Sequence, residues 1–370
     1  MTPSENPNQN REPKDPAEPT RRRLSRASRF WLGCTLGLLG LAAVAFFFPG
    51  DPPEAGLSRI AASFDLQGHR GARGLMPENS LPAFEAALAL GVTTLELDTV
   101  MTADGVVVVH HDRRLMPERT RDTAGNWLQE EGAAPVIGLT RAELAAYDIG
   151  RARPGSRVAR RYPEQQGLDG VAIPTLAEVL VRAEALSGGQ IRYNIETKIS
   201  PLSPDDSAEP AAFADALVAA IRAAGVAERA AVQSFDWRSL LRVQEIAPEI
   251  ETVYLTAEQS WLDNLGRGAR EPSPWIGGLA IDWSEVTPAA AVKAAGGSVW
   301  SPFYRDIRAQ DLREAQALGL RVVVWTVNDP DDMASLIDLG VDGIITDYPD
   351  RARRVMEEKE MPLPPAFPAN

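Results

Sequence analysis

From residue 64 onward, short runs of β-branched and apolar residues alternate with longer Ala- and Leu-rich stretches of helical period. The predicted strands are 64–68, 92–98, 105–110, 191–197, 229–234, 250–255, 278–282, 298–301, 321–327 and 342–346. The predicted helices are 79–90, 174–186, 209–224, 237–246, 287–295, 309–318 and 330–339. Alternation sustained over this length is typical of a parallel sheet covered by helices.

The number of strands favours an α/β fold of the (β/α)8 TIM barrel type. Ten candidates are two more than a barrel needs. The segment 105–110 follows Asp104-Gly105, a tight-turn signal, and is predicted to form an accessory hairpin. An open doubly wound sheet is the alternative, but its glycine-rich dinucleotide fingerprint is missing. Residues 112–173 are rich in Arg, Gly, Pro and acids with one modest helical stretch, 141–147, and predict an insertion or lid.

The N-terminal part of the chain has a different pattern. Five arginines fall within residues 21–29, and residues 30–48 then run for 19 positions without a charge. At a rise of about 1.5 Å per residue, that run matches the hydrocarbon core of a bilayer. Residues 49–53 (PGDPP) would end the helix. We expect a transmembrane signal anchor with residues 1–29 in the cytoplasm and the catalytic domain on the periplasmic or extracellular side.

Two alternatives to the anchor stay open. A cleaved signal peptide, which would give an exported protein, usually has a shorter apolar region followed by a small-x-small site. Here Ala43-Val44-Ala45 lies inside the apolar run. A buried helix of a globular domain is disfavoured by the arginines that precede the run.

The expected organisation follows from these patterns. The segments are a disordered basic tail (1–29), the transmembrane anchor (30–48), a linker (49–63), the barrel (64–355, with its insertion at about 112–173) and a flexible C-terminus (356–370).

Composition and charge exclude several classes of function. The chain has 370 residues, with 38 Lys+Arg against 51 Asp+Glu and a formal net charge of −13. Such an acidic chain has no electrostatic footprint for nucleic acid, so we expect no nucleic-acid partner. Cys34 is the single cysteine, which excludes an intramolecular disulfide and a four-cysteine zinc site.

All three histidines of the chain lie at the C-terminal ends of predicted strands. His69 comes directly after strand 64–68, His110 is the last residue of strand 105–110, and His111 follows it. Barrel enzymes place catalytic groups at the C-terminal ends of their strands. A lone histidine is more often structural than functional, but three of three at strand ends indicate a site.

Acidic residues add a candidate metal site. Glu96 and Asp98 are two positions apart on strand 92–98 and therefore face the same side. A solvent-facing polar edge is the simpler interpretation, but barrel strands are covered by helices outside, which favours the interior. Glu196, from strand 191–197, can complete an all-oxygen cage of the kind that Mg²⁺ or Ca²⁺ prefers.

Two cations lie next to these candidate residues in the sequence, Arg70 beside His69 and Lys198 two positions after Glu196. Arg70 follows His69 directly, and its guanidinium fork suits two phosphate oxygens. Lys198 either pairs with the acids or acts as a phosphate clamp. Histidines, a metal cage and two cations form a set suited to displacement at phosphorus, in which one imidazole accepts a proton and another donates one.

In their order along the chain, eight blocks resemble the signature of the glycerophosphodiester phosphodiesterase family. The blocks are Gly68-His69-Arg70-Gly71, Pro77-Glu78-Asn79-Ser80, Glu96-Leu97-Asp98, Asp104-Gly105 through His111-Asp112, Ile195-Glu196-Thr197-Lys198, Gln233-Ser234-Phe235, Trp325-Thr326-Val327-Asn328 and Gly343-Ile344-Ile345-Thr346-Asp347-Tyr348-Pro349. The resemblance covers roughly residues 64–355. It implies a phospholipase-C-like phosphodiesterase on a (β/α)8 barrel.

The resemblance also implies roles for individual residues. His69 and His111 would be the general acid/base pair; periodicity alone does not choose between His110 and His111, whereas the family pattern of His followed by Asp selects His111. Trp325 would line the glycerol or alcohol pocket, although a core tryptophan is an equally good interpretation.

For the charged residues, the resemblance implies a divalent ion, Ca²⁺ or Mg²⁺, bound by Glu96, Asp98 and Glu196, and a phosphate held by Arg70 and Lys198. Family members cleave glycerophosphodiesters to glycerol 3-phosphate and an alcohol. The glycerol 2-hydroxyl is then a reasonable nucleophile, giving a cyclic intermediate that water opens.

Two other functions remain as alternatives. The same site on a membrane-anchored protein can act as a lysophospholipase D or another phospholipid phosphodiesterase, with a lysophospholipid in place of a small glycerophosphodiester. A membrane-tethered binding domain without catalysis is disfavoured because no histidine or acid of the set is missing.

Overall fold

The computed structural model describes residues 64–130 and 133–368. Its strands are β1 (Asp65–Gly68), β2 (Thr94–Met101), β3 (Val107–Val109), β4 (Arg192–Thr197), β5 (Ala230–Ser234), β6 (Glu251–Thr256), β7 (Glu258–Gln259), β8 (Leu262–Asp263), β9 (Val299–Pro302), β10 (Arg321–Val324) and β11 (Gly343–Thr346).

Eight of these strands form a closed parallel barrel. The order around the barrel is β1-β2-β4-β5-β6-β9-β10-β11. Closure is made by β1, which pairs with β2 on one side (Gln67 opposite Thr94) and with β11 on the other (Asp65 opposite Gly343). The prediction of a (β/α)8 barrel is therefore confirmed.

Ten helices accompany the described strands. They are α1 (Leu81–Leu90), α2 (Arg141–Leu144), α3 (Arg157–Arg161), α4 (Leu176–Ser187), α5 (Pro210–Ala223), α6 (Trp237–Ile246), α7 (Pro288–Ala294), α8 (Ala309–Ala317), α9 (Pro330–Leu339) and α10 (Pro349–Glu358). Their starts agree with the caps visible in the sequence. Thr175 and Glu178 form a reciprocal capping box at α4, and Asp329 caps α9 ahead of Pro330.

The two extra strand predictions have different outcomes. Residues 105–110 form the expected hairpin, in which β3 runs antiparallel to β2. The strand predicted at 278–282 is wrong, because this segment lies in the loop before α7. Gly277 and Gly278 both adopt positive φ there, and Leu279 and Ile281 pack on the core from a loop. Their alternation imitates a strand without any ladder hydrogen bonds.

The barrel interior holds a small apolar layer below the mouth. Its members are Ala231, Val253, Val299, Val323 and Ile345. Polar side chains from β1, β4 and β5 fill the space beside it, where Asn194 Nδ2 donates to Gln67 Oε1 at 2.8 Å and to Gln233 Oε1 at 3.0 Å. The main apolar core lies between the outer face of the barrel strands and the surrounding helices. The barrel interior is thus filled by side chains at its base, and the candidate site residues lie at the C-terminal end of the strands.

The segment between β3 and α4 is an insertion with a small core of its own. Buried Leu115, Val136, Leu144, Ile149 and Ile173 pack there against apolar residues of β2 and β3. The insertion contains α2, α3 and a short turn of 3-10 helix, Val136–Gly138.

The C-terminal prediction needs correction. Residues 356–370 are expected from composition to be flexible, whereas α10 extends to Glu358 and the following described residues pack on the barrel. Met361, Leu363 and Phe367 contact the core, and the Phe367 amide donates to the Leu88 carbonyl at 2.7 Å. The proline-rich composition predicts flexibility because the segment has no helix or strand pattern, but its apolar contacts hold it on the barrel.

The described part of the chain has no helix that is both long and apolar enough to cross a bilayer. The predicted anchor at 30–48, with the tail and linker beside it, lies outside the residues that the structure describes.

Candidate active site

Three acidic side chains converge at the C-terminal end of the barrel. Glu96 and Asp98 come from β2 and Glu196 from β4, where Asp98 and Glu196 are register partners. Each offers a carboxylate oxygen within 4.8 Å of the others, and all three residues are buried. The strand period predicts that Glu96 and Asp98 share a face, and the parallel register brings in Glu196.

The electrostatics of this acidic triad are those of an incompletely neutralised cluster. Burial, followed by repulsion from Asp98 and Glu196, raises the pKa of Glu96 well above its ordinary value. Burial likewise raises the pKa of Glu196 to about 7. Burial would also raise the pKa of Asp98, but Arg70 and Lys198 outweigh it and lower that pKa to about 2. Two carboxylates of the triad therefore disfavour their charged forms unless a further cation is present.

Lys198 lies against the acids, as one of the two sequence interpretations expects. Its Nζ is 2.7 Å from Glu196 Oε1 and 3.6 Å from Asp98 Oδ1. It also lies 5.9 Å from the centroid of the Phe235 ring.

The turn that follows β1 brings Arg70 onto the triad. Arg70 has a φ of 52° and Gly71 a φ of 84°; a Cβ on Gly71 would lie 2.5 Å from the Ala83 backbone. This left-handed turn is unfavourable for arginine. It is held because the Arg70 amide donates to Glu96 Oε2 at 2.8 Å and its Nε lies 3.0 Å from Asp98 Oδ2.

His69 is oriented by a residue from the opposite end of the chain. Its Nδ1 lies 2.5 Å from Asp347 Oδ1, at the end of β11. Asp347 is itself fixed by Asn328, whose Nδ2 donates to Oδ2 at 2.7 Å. Burial lowers the pKa of His69, although Asp347 opposes that shift. The neutral ring thus holds its Nδ1 proton toward Asp347, and its Nε2, 3.9 Å from Glu96 Oε2, accepts from Arg70 Nε at 3.3 Å.

His111 reaches the mouth by way of the hairpin. β2 extends past the rim, and β3 returns the chain until the His110 amide bonds to the Asp98 carbonyl at 3.0 Å. His111 Nδ1 lies 3.0 Å from Asp112 Oδ1, a second histidine–carboxylate pair. Burial and neighbouring arginines lower the pKa of His111 well below its ordinary value.

The structure separates the two adjacent histidines. His111 lines the cavity at the triad, whereas His110 is only 3% exposed and its Nδ1 lies 2.7 Å from the Asp112 carbonyl oxygen. Of the two, His111 faces the side of the acids, as the family pattern implies.

Glu78 joins these groups into one network and has no assigned role in the sequence analysis. Its carboxylate lies 2.7 Å from Arg70 Nη1, 2.7 Å from Arg73 Nε and 2.5 Å from Arg119 Nη1. Arg119 also forms an ion pair with Asp112, the partner of His111. One buried carboxylate thus joins three guanidiniums beside the acidic triad.

Seven of the eight predicted site residues line one cavity of about 120 Å³, and the eighth, Asp98, belongs to the triad at its floor. Trp325 and Phe235 form its apolar wall and pack edge to face at 5.2 Å. The Trp325 indole donates to the Ser301 carbonyl at 2.9 Å. Both interpretations of this tryptophan are thus partly met, since it is fixed by the barrel and also lines the site.

Beyond Trp325, an open cavity of about 1180 Å³ adjoins the first and shares His111, Arg70 and Arg73 with it. One side of this outer cavity is aromatic: Phe303 packs against Trp325 at a tilt, Trp261 packs edge to face against Phe303, and Trp261 is 58% exposed. The insertion forms the other side.

Comparison with known proteins agrees with this geometry. The model of the glycerophosphoryl diester phosphodiesterase family matches residues 69–351. The chain is 29% identical over 296 residues to a glycerophosphodiester phosphodiesterase of Bacillus subtilis strain 168, covering 78% of this chain and 84% of that protein. It is 30% identical over 296 residues to one of Bacillus altitudinis, covering 78% and 97%.

Solved structures give the same picture. A crystal structure described as a putative glycerophosphoryl diester phosphodiesterase from Silicibacter pomeroyi DSS-3 superposes with a TM-score of 0.72 at 36% identity, covering 81% of this chain and 95% of the other. An Oleispira antarctica phosphodiesterase in complex with sn-glycerol-3-phosphate shares the fold, with a TM-score of 0.57 at 20% identity and coverage of 79% and 96%.

Proposed function

The chain belongs to the glycerophosphoryl diester phosphodiesterase family, and from that membership we propose that it hydrolyses glycerophosphodiesters to glycerol 3-phosphate and an alcohol. The observation that carries this proposal is the pairing of His69 with Asp347 and of His111 with Asp112 on one cavity, beside an acidic triad. The relative from Oleispira antarctica, which binds the product sn-glycerol-3-phosphate, supports the same substrate class.

The two histidines divide the proton transfers. Each ring uses Nδ1 for a carboxylate, so Nε2 is the nitrogen proposed to exchange a proton with substrate. In His69, a substrate oxygen would replace Arg70 Nε, which donates to Nε2 at 3.3 Å. One imidazole accepts the proton of the attacking oxygen, either the glycerol 2-hydroxyl or water, as the new P–O bond forms. The other donates a proton to the departing alcohol oxygen as its P–O bond breaks. If the glycerol hydroxyl attacks first, water then opens the cyclic phosphodiester.

Arg70 and Lys198 are the groups proposed to hold the phosphate. Both line the cavity, and the guanidinium of Arg70 stays positively charged. In the described structure their charge is directed at the acidic triad. A phosphate bound beside the triad would share these cations with the carboxylates.

The acidic triad fits a divalent metal ion. Asp98 Oδ1 is buried and accepts no hydrogen bond, and the pKa values of Glu96 and Glu196 are raised first by burial and then by the negative charge of neighbouring carboxylates. Three carboxylate oxygens suit Ca²⁺ or Mg²⁺ better than zinc. When bound, such an ion polarises the phosphoryl oxygens and offsets their charge.

Release of glycerol 3-phosphate from glycerophosphocholine by the purified protein tests the proposal, with Ca²⁺, with Mg²⁺ and with EDTA. We expect metal-dependent release that EDTA abolishes. His111→Asn should lower kcat at least about 10²-fold, whereas His110→Asn, compared at equal thermal stability, should lower it much less. Metal-independent release would contradict the metal assignment. Equal losses in the two variants would contradict the role of His111.

Lysophospholipids are a second candidate substrate class, because the outer cavity is far larger than a glycerol headgroup needs. Its aromatic side, from Trp325 through Phe303 to exposed Trp261, is suited to an acyl chain. Release of the headgroup alcohol from a lysophospholipid, measured beside glycerophosphocholine, distinguishes the two classes. A binding domain without catalysis would show neither release.

For location, we propose that residues 30–48 anchor the protein with the barrel on the outer side of the membrane. The uncharged run of 19 residues and the arginines before it support this arrangement. A C-terminal reporter that is active only outside the cytoplasm is expected. Reporter activity confined to the cytoplasm would refute the orientation.

A further inference from the structure

The insertion touches the turn that carries the first histidine. The Arg73 guanidinium lies over the Tyr162 ring, with Cζ 4.5 Å from the ring centroid. Gln165 Nε2 donates to the Arg73 carbonyl at 2.8 Å, and the Gln166 amide donates to the Leu75 carbonyl at 2.8 Å. These contacts join the segment that follows α3 to the turn at residues 69–76.

Arg73 connects this contact with the catalytic groups. Its Nε lies 2.7 Å from Glu78 Oε2, and its Nη1 lies 3.9 Å from Asp347 Oδ1, the partner of His69. One residue further on, the Gly74 amide donates to the Asp347 carbonyl at 2.8 Å. The guanidinium is therefore held between the Tyr162 ring and the carboxylates that set the His69–Asp347 pair.

From these contacts we infer that Tyr162 is a positioning residue, and that the insertion clamps the catalytic turn by stacking Tyr162 on Arg73. The expected change in kcat rests on the proposed phosphodiesterase function, whereas the expected loosening of the turn at residues 69–76 does not. It gives the insertion a role in turnover in addition to forming one side of the outer cavity.

The surroundings of Tyr162 differ from those of an ordinary core aromatic. The residue is 3% exposed, yet it is not among the apolar side chains of the insertion's own core. Two guanidiniums lie near its ring, with Cζ of Arg73 4.5 Å and Cζ of Arg161 5.8 Å from the ring centroid, and its hydroxyl accepts from Arg161 Nε at 3.1 Å. The burial serves a cation–π contact.

The ring, not the hydroxyl, makes the contact with Arg73. Tyr162→Phe keeps the stack and loses only the bond from Arg161, so it should retain kcat within about twofold. Tyr162→Ala removes the stack and allows the turn to shift; misplacement by about 1 Å can cost about 10²-fold in rate. We expect kcat for glycerophosphoethanolamine to fall at least about tenfold, with KM changed by less than about threefold.

The insertion supplies a matched control in Trp127. Arg121 Cζ lies 5.6 Å from the centroid of the Trp127 ring, but Trp127 does not line either cavity at the catalytic site. Trp127→Ala removes an aromatic–arginine stack of the same kind, and kcat should stay unchanged. If Trp127→Ala lowers kcat as much as Tyr162→Ala, or if Tyr162→Phe fails to restore it, the clamp is refuted.

A second measurement does not depend on the substrate. Amide hydrogen exchange reports local opening, so Tyr162→Ala should speed exchange in peptides covering residues 69–76 by about tenfold or more. Tyr162→Phe and Trp127→Ala should leave the exchange rate in those peptides unchanged. Unchanged exchange in Tyr162→Ala overturns the clamp. A wild-type protein inactive on glycerophosphodiesters, with the exchange pattern as expected, would refute the proposed substrate and retain the clamp.

Discussion

Glu78 is the carboxylate on which the charged network depends, and Glu78→Gln tests that dependence. The amide keeps the size and shape of the side chain and removes one negative charge from among three guanidiniums. Burial alone would raise the pKa of Glu78, but those three guanidiniums hold it well below its ordinary value of 4.5. The carboxylate is thus ionised at any pH at which the enzyme would be assayed.

The size of the effect follows from what each arginine retains. Removing one partner of a buried ion pair costs about 3–5 kcal/mol. Here each guanidinium keeps a second carboxylate: Asp98 is 3.0 Å from Arg70, Asp347 is 3.9 Å from Arg73, and Asp112 pairs with Arg119. We therefore expect the low end, a loss of about 3 kcal/mol in the free energy of unfolding.

Urea unfolding of the metal-free protein at pH 7 measures that loss. Glu85→Gln is the matched control, because Glu85 pairs with Arg182 at 2.7 Å on the surface; exposed pairs contribute about 0–1 kcal/mol. In a thermal melt, the same 3 kcal/mol should lower Tm by about 5 °C for a domain of about 300 residues. A loss below about 1 kcal/mol in Glu78→Gln would refute the network as a stabilising unit.

The pH dependence of that difference has a definite sign. A carboxylate with a depressed pKa stabilises the folded state above its ordinary pKa, and this contribution is lost as pH falls through the folded-state value. The difference in the free energy of unfolding between wild type and Glu78→Gln should thus have its full size above pH 4.5 and should become smaller at lower pH. A gap that widens on acidification would contradict the assignment.

Three further outcomes are expected. Asp347→Asn should lower kcat by about 10²–10⁴-fold, because an amide cannot fix the same histidine tautomer. Asp112→Asn should lower kcat less, since Asp112 is more exposed than Asp347. Equal losses of kcat in steady-state kinetics would contradict this order. Burial raises the pKa of Glu196 from 4.5 to about 7, so the free energy of unfolding of the metal-free protein should fall as pH rises through that range. In Glu196→Gln, the fall between pH 5 and pH 8 should be smaller, as measured by urea unfolding with EDTA present. Deleting residues 361–370 should lower the free energy of unfolding by about 2–4 kcal/mol through lost apolar contact, and an unchanged urea midpoint would show that this segment does not stabilise the barrel.

Local pattern was sufficient for the barrel and for the acidic triad. The strand period places Glu96 and Asp98 on one face, and the alternation of strands and helices makes neighbouring strands parallel. Those two facts together bring Glu196 to the same edge. No long-range information was needed, because each inference uses only residues on one or two strands.

The residues that orient the site were beyond local pattern. Asp347 belongs to a block that the family resemblance includes, yet its distance of 278 positions from His69 hides the pairing. Glu78 is similar, since three arginines from two separate segments meet on it. Charged residues at such spacing are usually solvated, and only the closed barrel removes them from water.

The remaining errors come from segments that tertiary contacts fix. The residues at 278–282 alternate as a strand does but make no ladder, and the proline-rich terminus packs on α1 without any periodic signal. In both cases apolar burial overrides what the local pattern favours.

Closure of the barrel by β1 and β11 has a consequence for how activity is acquired during folding. The first described strand pairs with the last, and the same seam brings His69 to Asp347 across 278 positions. Contacts of such sequence separation form slowly, because a long loop must be closed before they are made. A nascent or partly refolded chain can thus hold most of its parallel ladder while its first histidine still lacks its carboxylate. Recovery of turnover after dilution from urea should coincide with the final closing step and should lag behind the return of helical signal.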